Sequence, residues 1–179
     1  MNLDLDEAED LTALTNITNY YSEVPDHLRE SVETINVQSE PAEHGAAFYS
    51  PGERSLTFGS GLRFLDEHTF NHEFGHGIAF HVADQQDGSV ENFLEIFVGE
   101  LNQGVPDGYI EAAQADAGQV TDYAGTDPRE NFAETWLFYV DARQRGEEAL
   151  QAFAEVYPNQ TEFLNQIYDG TYKSDDLAG

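Results

Sequence analysis

Apolar positions recur along this chain with two different periods, and the change of period divides it. Near the start, Leu11, Leu14, Ile17 and Tyr21 follow helical spacing. Pro25 then opens a second short helix over 25–32, with proline in its first turn. Thr34, Ile35, Asn36, Val37 and Gln38 alternate as a strand does, and segments 46–50 and 55–59 flank Pro51, Gly52 and Glu53, which predicts a hairpin. From residue 66 onward the spacing is helical. One long helix is predicted over 66–84 and another over 90–102, carrying Phe93, Leu94, Phe97 and Leu101. A weaker, alanine-rich helix follows over 106–117. A loop holding Thr121, Asp122, Tyr123, Ala124 and Gly125 leads to a helix over 128–145. Leu150, Phe153, Ala154 and Tyr157 mark one more, closed by Pro158, and Phe163, Leu164 and Ile167 mark the last. The layout predicts an α+β fold, a small N-terminal sheet followed by a mostly helical C-terminal half. With no repeat and no linker, residues 1–179 read as a single domain, 1–30 being a candidate helical extension at its N-terminus.

Composition narrows the function classes. At 179 residues and 40% hydrophobic, the chain can bury a core of its own. No run approaches the roughly 20 apolar residues of a membrane helix. The opening Met1, Asn2, Leu3, Asp4, Leu5, Asp6 is acidic where a secretory signal is basic and then apolar. The expectation is a cytoplasmic protein, or an exported one whose signal has been removed. Cysteine is absent, so disulfides and thiolate metal sites are excluded and any metal must be held by His, Asp or Glu.

Charge is the most unusual bulk property. Thirty-five Asp and Glu oppose seven Lys and Arg, of which only Lys173 is lysine, for a formal net charge of −28. Such a surface repels phosphate backbones and anionic membranes, so neither nucleic acid nor membrane is an expected partner, and a monomer is expected. The carboxylates are spread between apolar positions rather than gathered in a tail. The pattern is similar to that of proteins from extreme halophiles, and a high-salt environment is the expectation.

His72, Glu73, Phe74, Gly75 and His76 carry the chemistry. Histidines four residues apart on a helix stand on one face, so both imidazoles can bind one ion. Glu73, beside a ligand, can take a proton from water activated by zinc without itself binding the metal. Phe70, Phe74 and Ile78 fall on one side of the helix, while Leu65, Ala79, Phe80 and Ala83 share the side of His72 and His76. A helix apolar on both sides is buried, and two histidines and a glutamate inside it need partners. His68 reads as a polar cap or a residue supporting the site, and His81 as a core histidine. Nothing marks His27 or His44 as catalytic.

A catalytic zinc site takes three protein ligands and keeps a fourth position open. Ala79 and Val82 stand where a metzincin has glycine and histidine, which excludes that branch. The best later segment runs from Tyr123 to Glu134. Glu130 and Glu134 lie one turn apart, at the edge of an arc formed by Phe132, Trp136, Leu137 and Val140. Either can be the third ligand. Glu130 has a second reading as part of a capping box behind Asp127 and Pro128, Glu134 as a solvated side chain, and Tyr123 as a buried aromatic anchoring the loop.

The combination resembles the gluzincin branch of the zincin metallopeptidases, in particular the group containing the catalytic domain of anthrax lethal factor and the bacterial Pro-Pro endopeptidases. That group joins a His-Glu-Phe-Gly-His helix to a later tyrosine, a glutamate seven residues on, and then Phe-Ala-Glu. Residues 72–76 match the first element; Tyr123, Glu130, Phe132, Ala133 and Glu134 match the second, with Asn131 where an aromatic is usual. The resemblance covers roughly 45–170. It implies a zincin-like fold, Zn2+ held by His72, His76 and Glu130, and Glu73 as general base. Glu134 would orient a ligand histidine, Tyr123 would donate its phenol to the oxyanion, and the substrate would be a peptide or protein. Segment 54–59 precedes the active-site helix as the zincin substrate-pairing edge strand does, although an ordinary sheet strand explains it equally well. Two other classes remain: a catalytically silent zinc-binding regulatory module, against which Glu73 argues, and an acidic interaction protein with no metal.

Overall fold

A computed structural model describes residues 1–4, 7–42, 46–87 and 104–173. The chain is α+β, with a small sheet early and helices in the remainder. It divides into two compact units, Met1–Gly77 and Ile78–Gly179, with the boundary inside one helix.

The first unit holds strands β1 (Asn2–Asp4), β2 (Thr34–Gln38), β3 (Ala47–Ser50) and β4 (Ser55–Phe58), helix α1 (Glu7–Glu23), and the start of α2 (Glu67–Asp87). The strand order is β1-β2-β4-β3. The first three are parallel, and β3 is antiparallel to β4. Ile35 stands opposite Leu56 and Val37 opposite Phe58. All four residues of β4 are buried, as befits a strand flanked on both sides, whereas β2 alternates and β3 is half-buried. The hairpin falls where expected, its turn ending on Arg54 at φ 48°. Within segment 54–59, β4 has a strand on each side, so the edge-strand expectation for it is overturned in favour of the ordinary sheet strand; among the described residues β3 and β1 are the edges.

Three further differences concern the N-terminal region. Asn2, Leu3 and Asp4 form β1, paired with Asn36, Val37 and Gln38, and three residues are too short for periodicity to reveal. Helix α1 buries only part of the spaced set: Ile17 and, half-buried, Tyr21 face the core. Leu11 and Leu14 are 66% and 41% exposed, while Ala13, Ile17 and, just beyond the helix, Val24 are buried. The predicted short helix over 25–32 is a 3-10 turn, Asp26–Ser31, capped by Pro25.

Helix α2 starts as expected: the Asp66 carboxylate accepts the Thr69 N–H at 2.8 Å. Its apolar side is sealed within the first unit by rings. Phe70 stacks on Phe58 and Phe74 at centroid distances of 6.3 and 5.5 Å, and Tyr20 and Tyr21 close on Phe70 and Phe74 at 5.5 and 5.8 Å. Gly77 permits a close approach, since a Cβ there would lie 3.1 Å from Val32 Cγ2 and 3.2 Å from the Tyr49 ring.

The second unit contains α3 (Tyr109–Ala115), α4 (Pro128–Gln144), α5 (Glu147–Val156) and α6 (Pro158–Tyr168). Helix α3 is shorter than the predicted 106–117, because Gly108, at φ 80°, holds a turn before it. Phe163, Leu164 and Ile167 of α6 are buried as the pattern required. The Asp116 carboxylate accepts the N–H groups of Asn159 and Gln160 and so satisfies the start of α6. The predicted helix over 90–102 lies outside the described residues.

Candidate metal centre

Helix geometry places His72 and His76 one turn apart on α2, with ring centroids 4.9 Å apart and planes at 86°. Both are half-buried, as is Glu73, whereas Phe70, Phe74 and Ile78 on the other side are fully buried. The helix thus keeps one sealed side and one that solvent can reach. Of the residues predicted to share the histidine side, Leu65 and Ala79 are buried, and Phe80 and Ala83 are half-buried.

Glu130 comes from α4. Asp127 caps this helix, its Oδ1 accepting the Arg129 N–H at 2.8 Å, and Pro128 occupies the first turn. The Arg129 side chain also donates to Asp127, and this hydrogen bond is the main cause holding the Asp127 carboxyl below its usual range. Glu130 then falls in the first turn, half-buried.

His72, His76 and Glu130 each offer one ligand atom, and those atoms lie within 4.8 Å of one another. The donor set is compatible with zinc, as it is with other divalent transition metals. Two imidazole nitrogens and a carboxylate oxygen are the ligands of an open catalytic site, and donors about 2.1 Å from one ion stand at most about 4.2 Å apart. Glu134 stands outside this group, which separates the two glutamates that the sequence left as alternatives.

Glu134 is 6% exposed, so it is not the solvated side chain of the simpler reading. Its Oε2 accepts the Thr121 hydroxyl at 2.7 Å, and Thr121 Oγ1 accepts the Ala124 N–H at 3.0 Å. Thr121 thereby ties the Tyr123–Gly125 turn to α4. It was not among the residues singled out in the sequence, although a threonine three residues before a turn N–H is a recognisable local signal. Tyr123 is 53% exposed, which excludes the buried-anchor reading of its ring.

The remaining histidines fall away from the chemistry. His68 is exposed and outside the ligand group. His81 is half-buried rather than a core residue, with a ring nitrogen 2.8 Å from Gln85 Nε2. His27 is exposed, and His44 lies outside the described residues.

A second polar cluster accompanies α4. Tyr109 donates to Asn131 Oδ1 at 2.6 Å, Thr135 donates to the Asn131 carbonyl at 2.7 Å, and the Gln160 amide reaches the Tyr109 and Thr135 oxygens at 2.9 and 3.0 Å. Burial pushes the Tyr109 phenol far above its usual range, so it stays protonated.

No protein-family model matches this chain, and no curated protein matches it. Among the described residues, no helix is long and apolar enough to cross a membrane.

Proposed function

We propose that this protein is a zinc-dependent metallopeptidase of the gluzincin type. The observation that carries the reading is the ligand group itself, His72 and His76 from one helix and Glu130 from another, with Glu73 following the first histidine. Zinc, when bound, supplies the Lewis acidity that acidifies water and polarises a carbonyl. Glu73 accepts the proton of the attacking water and delivers it to the departing amine. Tyr123 donates its phenol to the oxygen that gains charge as the carbonyl carbon becomes tetrahedral. Glu134 orients a ligand histidine and, through Thr121, holds the turn that presents Tyr123. The antiparallel edge strand β3, rather than β4, is the strand on which an extended peptide would add.

The test is cleavage of a peptide library by the chain in molar salt with zinc supplied. The expected result is cleavage that stops on chelation and returns when zinc is restored. Stoichiometric zinc without cleavage of any peptide would instead indicate a silent zinc-holding module. Absence of zinc binding would indicate an acidic interaction protein.

A further inference from the structure

Glu130 lies in the first turn of α4, where a helix has fewest internal hydrogen bonds and frays most readily. A ligand placed there needs its helix end anchored from outside. Asp127 supplies one anchor by capping the turn. The buried cluster around Asn131 supplies another, and it touches the residue adjacent to Glu130.

The hydrogens in that cluster can be assigned without conflict. Thr135 gives its proton to the Asn131 carbonyl, and Tyr109 gives its proton to Asn131 Oδ1. The two Gln160 amide hydrogens go to the Tyr109 and Thr135 oxygens. Asn131 is thus held through its side chain by Tyr109 of α3 and through its backbone carbonyl by Thr135 of α4, and Gln160 of α6 ties those two together. Adjacent residues on a helix are about 100° apart, so fixing the direction of Asn131 fixes the direction of Glu130. Tyr109, Thr135 and Gln160 are buried, and hydrogen bonds among buried side chains are strengthened by the low local dielectric.

We infer that Tyr109, Asn131, Thr135 and Gln160 form a positioning network that sets the first turn of α4 and aims Glu130 at the metal. The inference rests on the metal-site reading above. Tyr139 provides an internal control: its phenol, on the same helix two turns later, donates to Asn165 at 2.7 Å and accepts from Arg143 at 2.7 Å.

The experiment compares Tyr109→Phe and Gln160→Met with Tyr139→Phe in the full chain, in molar salt. Zinc affinity is read by competition with a chromophoric chelator, and exchange of the Asn131 amide, which donates to the Asp127 carbonyl at 2.9 Å, is read without metal. Tyr109→Phe and Gln160→Met are expected to weaken zinc binding about 10-fold or more and to speed that amide's exchange. Tyr139→Phe is expected to lower the melting temperature while moving neither, and Thr135→Ser, which keeps the hydroxyl, to retain affinity. If Tyr109→Phe does not fold, Gln160→Met decides. Unchanged affinity and exchange in the folded variants, or equal changes in Tyr139→Phe, would overturn the positioning role. A wild-type chain that binds no zinc would overturn the metal-site reading instead, and the exchange comparison would still decide whether the network holds the turn.

Discussion

On the proposed reading, two carboxylates at the start of α4 carry different tasks, which single substitutions separate. Asp127 caps the helix, so Asp127→Ala is expected to cost about 1 kcal/mol of stability, measured by denaturant unfolding. The Asp127 carboxyl is held below its usual range by the Arg129 hydrogen bond, so its folded pKa lies below its unfolded one. Its contribution is present above the unfolded value and fades as pH falls through the folded value. Glu130→Gln should leave unfolding nearly unchanged while weakening zinc binding by more than the roughly 10–100-fold that loss of a supporting group costs. Equal effects of the two substitutions on zinc affinity would contradict this division. The sequence made both roles visible but could not assign them. A glutamate three residues after a cap looks the same whether its carboxylate turns to the helix end or to a histidine on another element.

At the scale of elements, periodicity located the helices better than it located their buried faces. The stripe read on α1 ran through Leu11, Leu14, Ile17 and Tyr21, yet Leu11 and Leu14 are exposed and Ala13 joins Ile17 in the core. Leu11→Ala should therefore change stability by less than about 0.5 kcal/mol. Ile17→Ala should cost about 2–5 kcal/mol. Chemical denaturation of the two variants checks this, and similar losses would refute the burial pattern. Ala13 is too small to stand out as an apolar position beside Leu11 and Leu14, and β1 has too few residues to show a pattern. The central position of β4 was similarly hidden, because strand order depends on long-range pairing. By contrast, the helix with His72 and His76 was legible: its phenylalanine spacing and its histidine spacing agree. The network around Asn131 was not, since its four members are separated by up to 51 positions in sequence.

For the whole molecule, the net charge of −28 sets the conditions under which the fold persists. The ion pairs of Arg29, Arg54, Arg129 and Arg145 each neutralise one local carboxylate and leave the excess in place. Screening shortens from about 10 Å at 0.1 M salt to about 3 Å at 1 M, which suppresses repulsion between neighbouring carboxylates. The melting temperature is expected to rise over that range, and a melting temperature indifferent to salt would count against the halophilic reading. Measurements of metal binding and cleavage belong in high salt for the same reason.

The central claim is tested most directly by pairing zinc analysis with peptide cleavage for the wild-type chain and Glu73→Gln. The prediction is one zinc ion per chain in both proteins, cleavage by the wild type, and a rate at least about 100-fold lower in Glu73→Gln, as loss of a general base requires. Full cleavage by Glu73→Gln, or a wild-type chain that holds no zinc, would contradict the account.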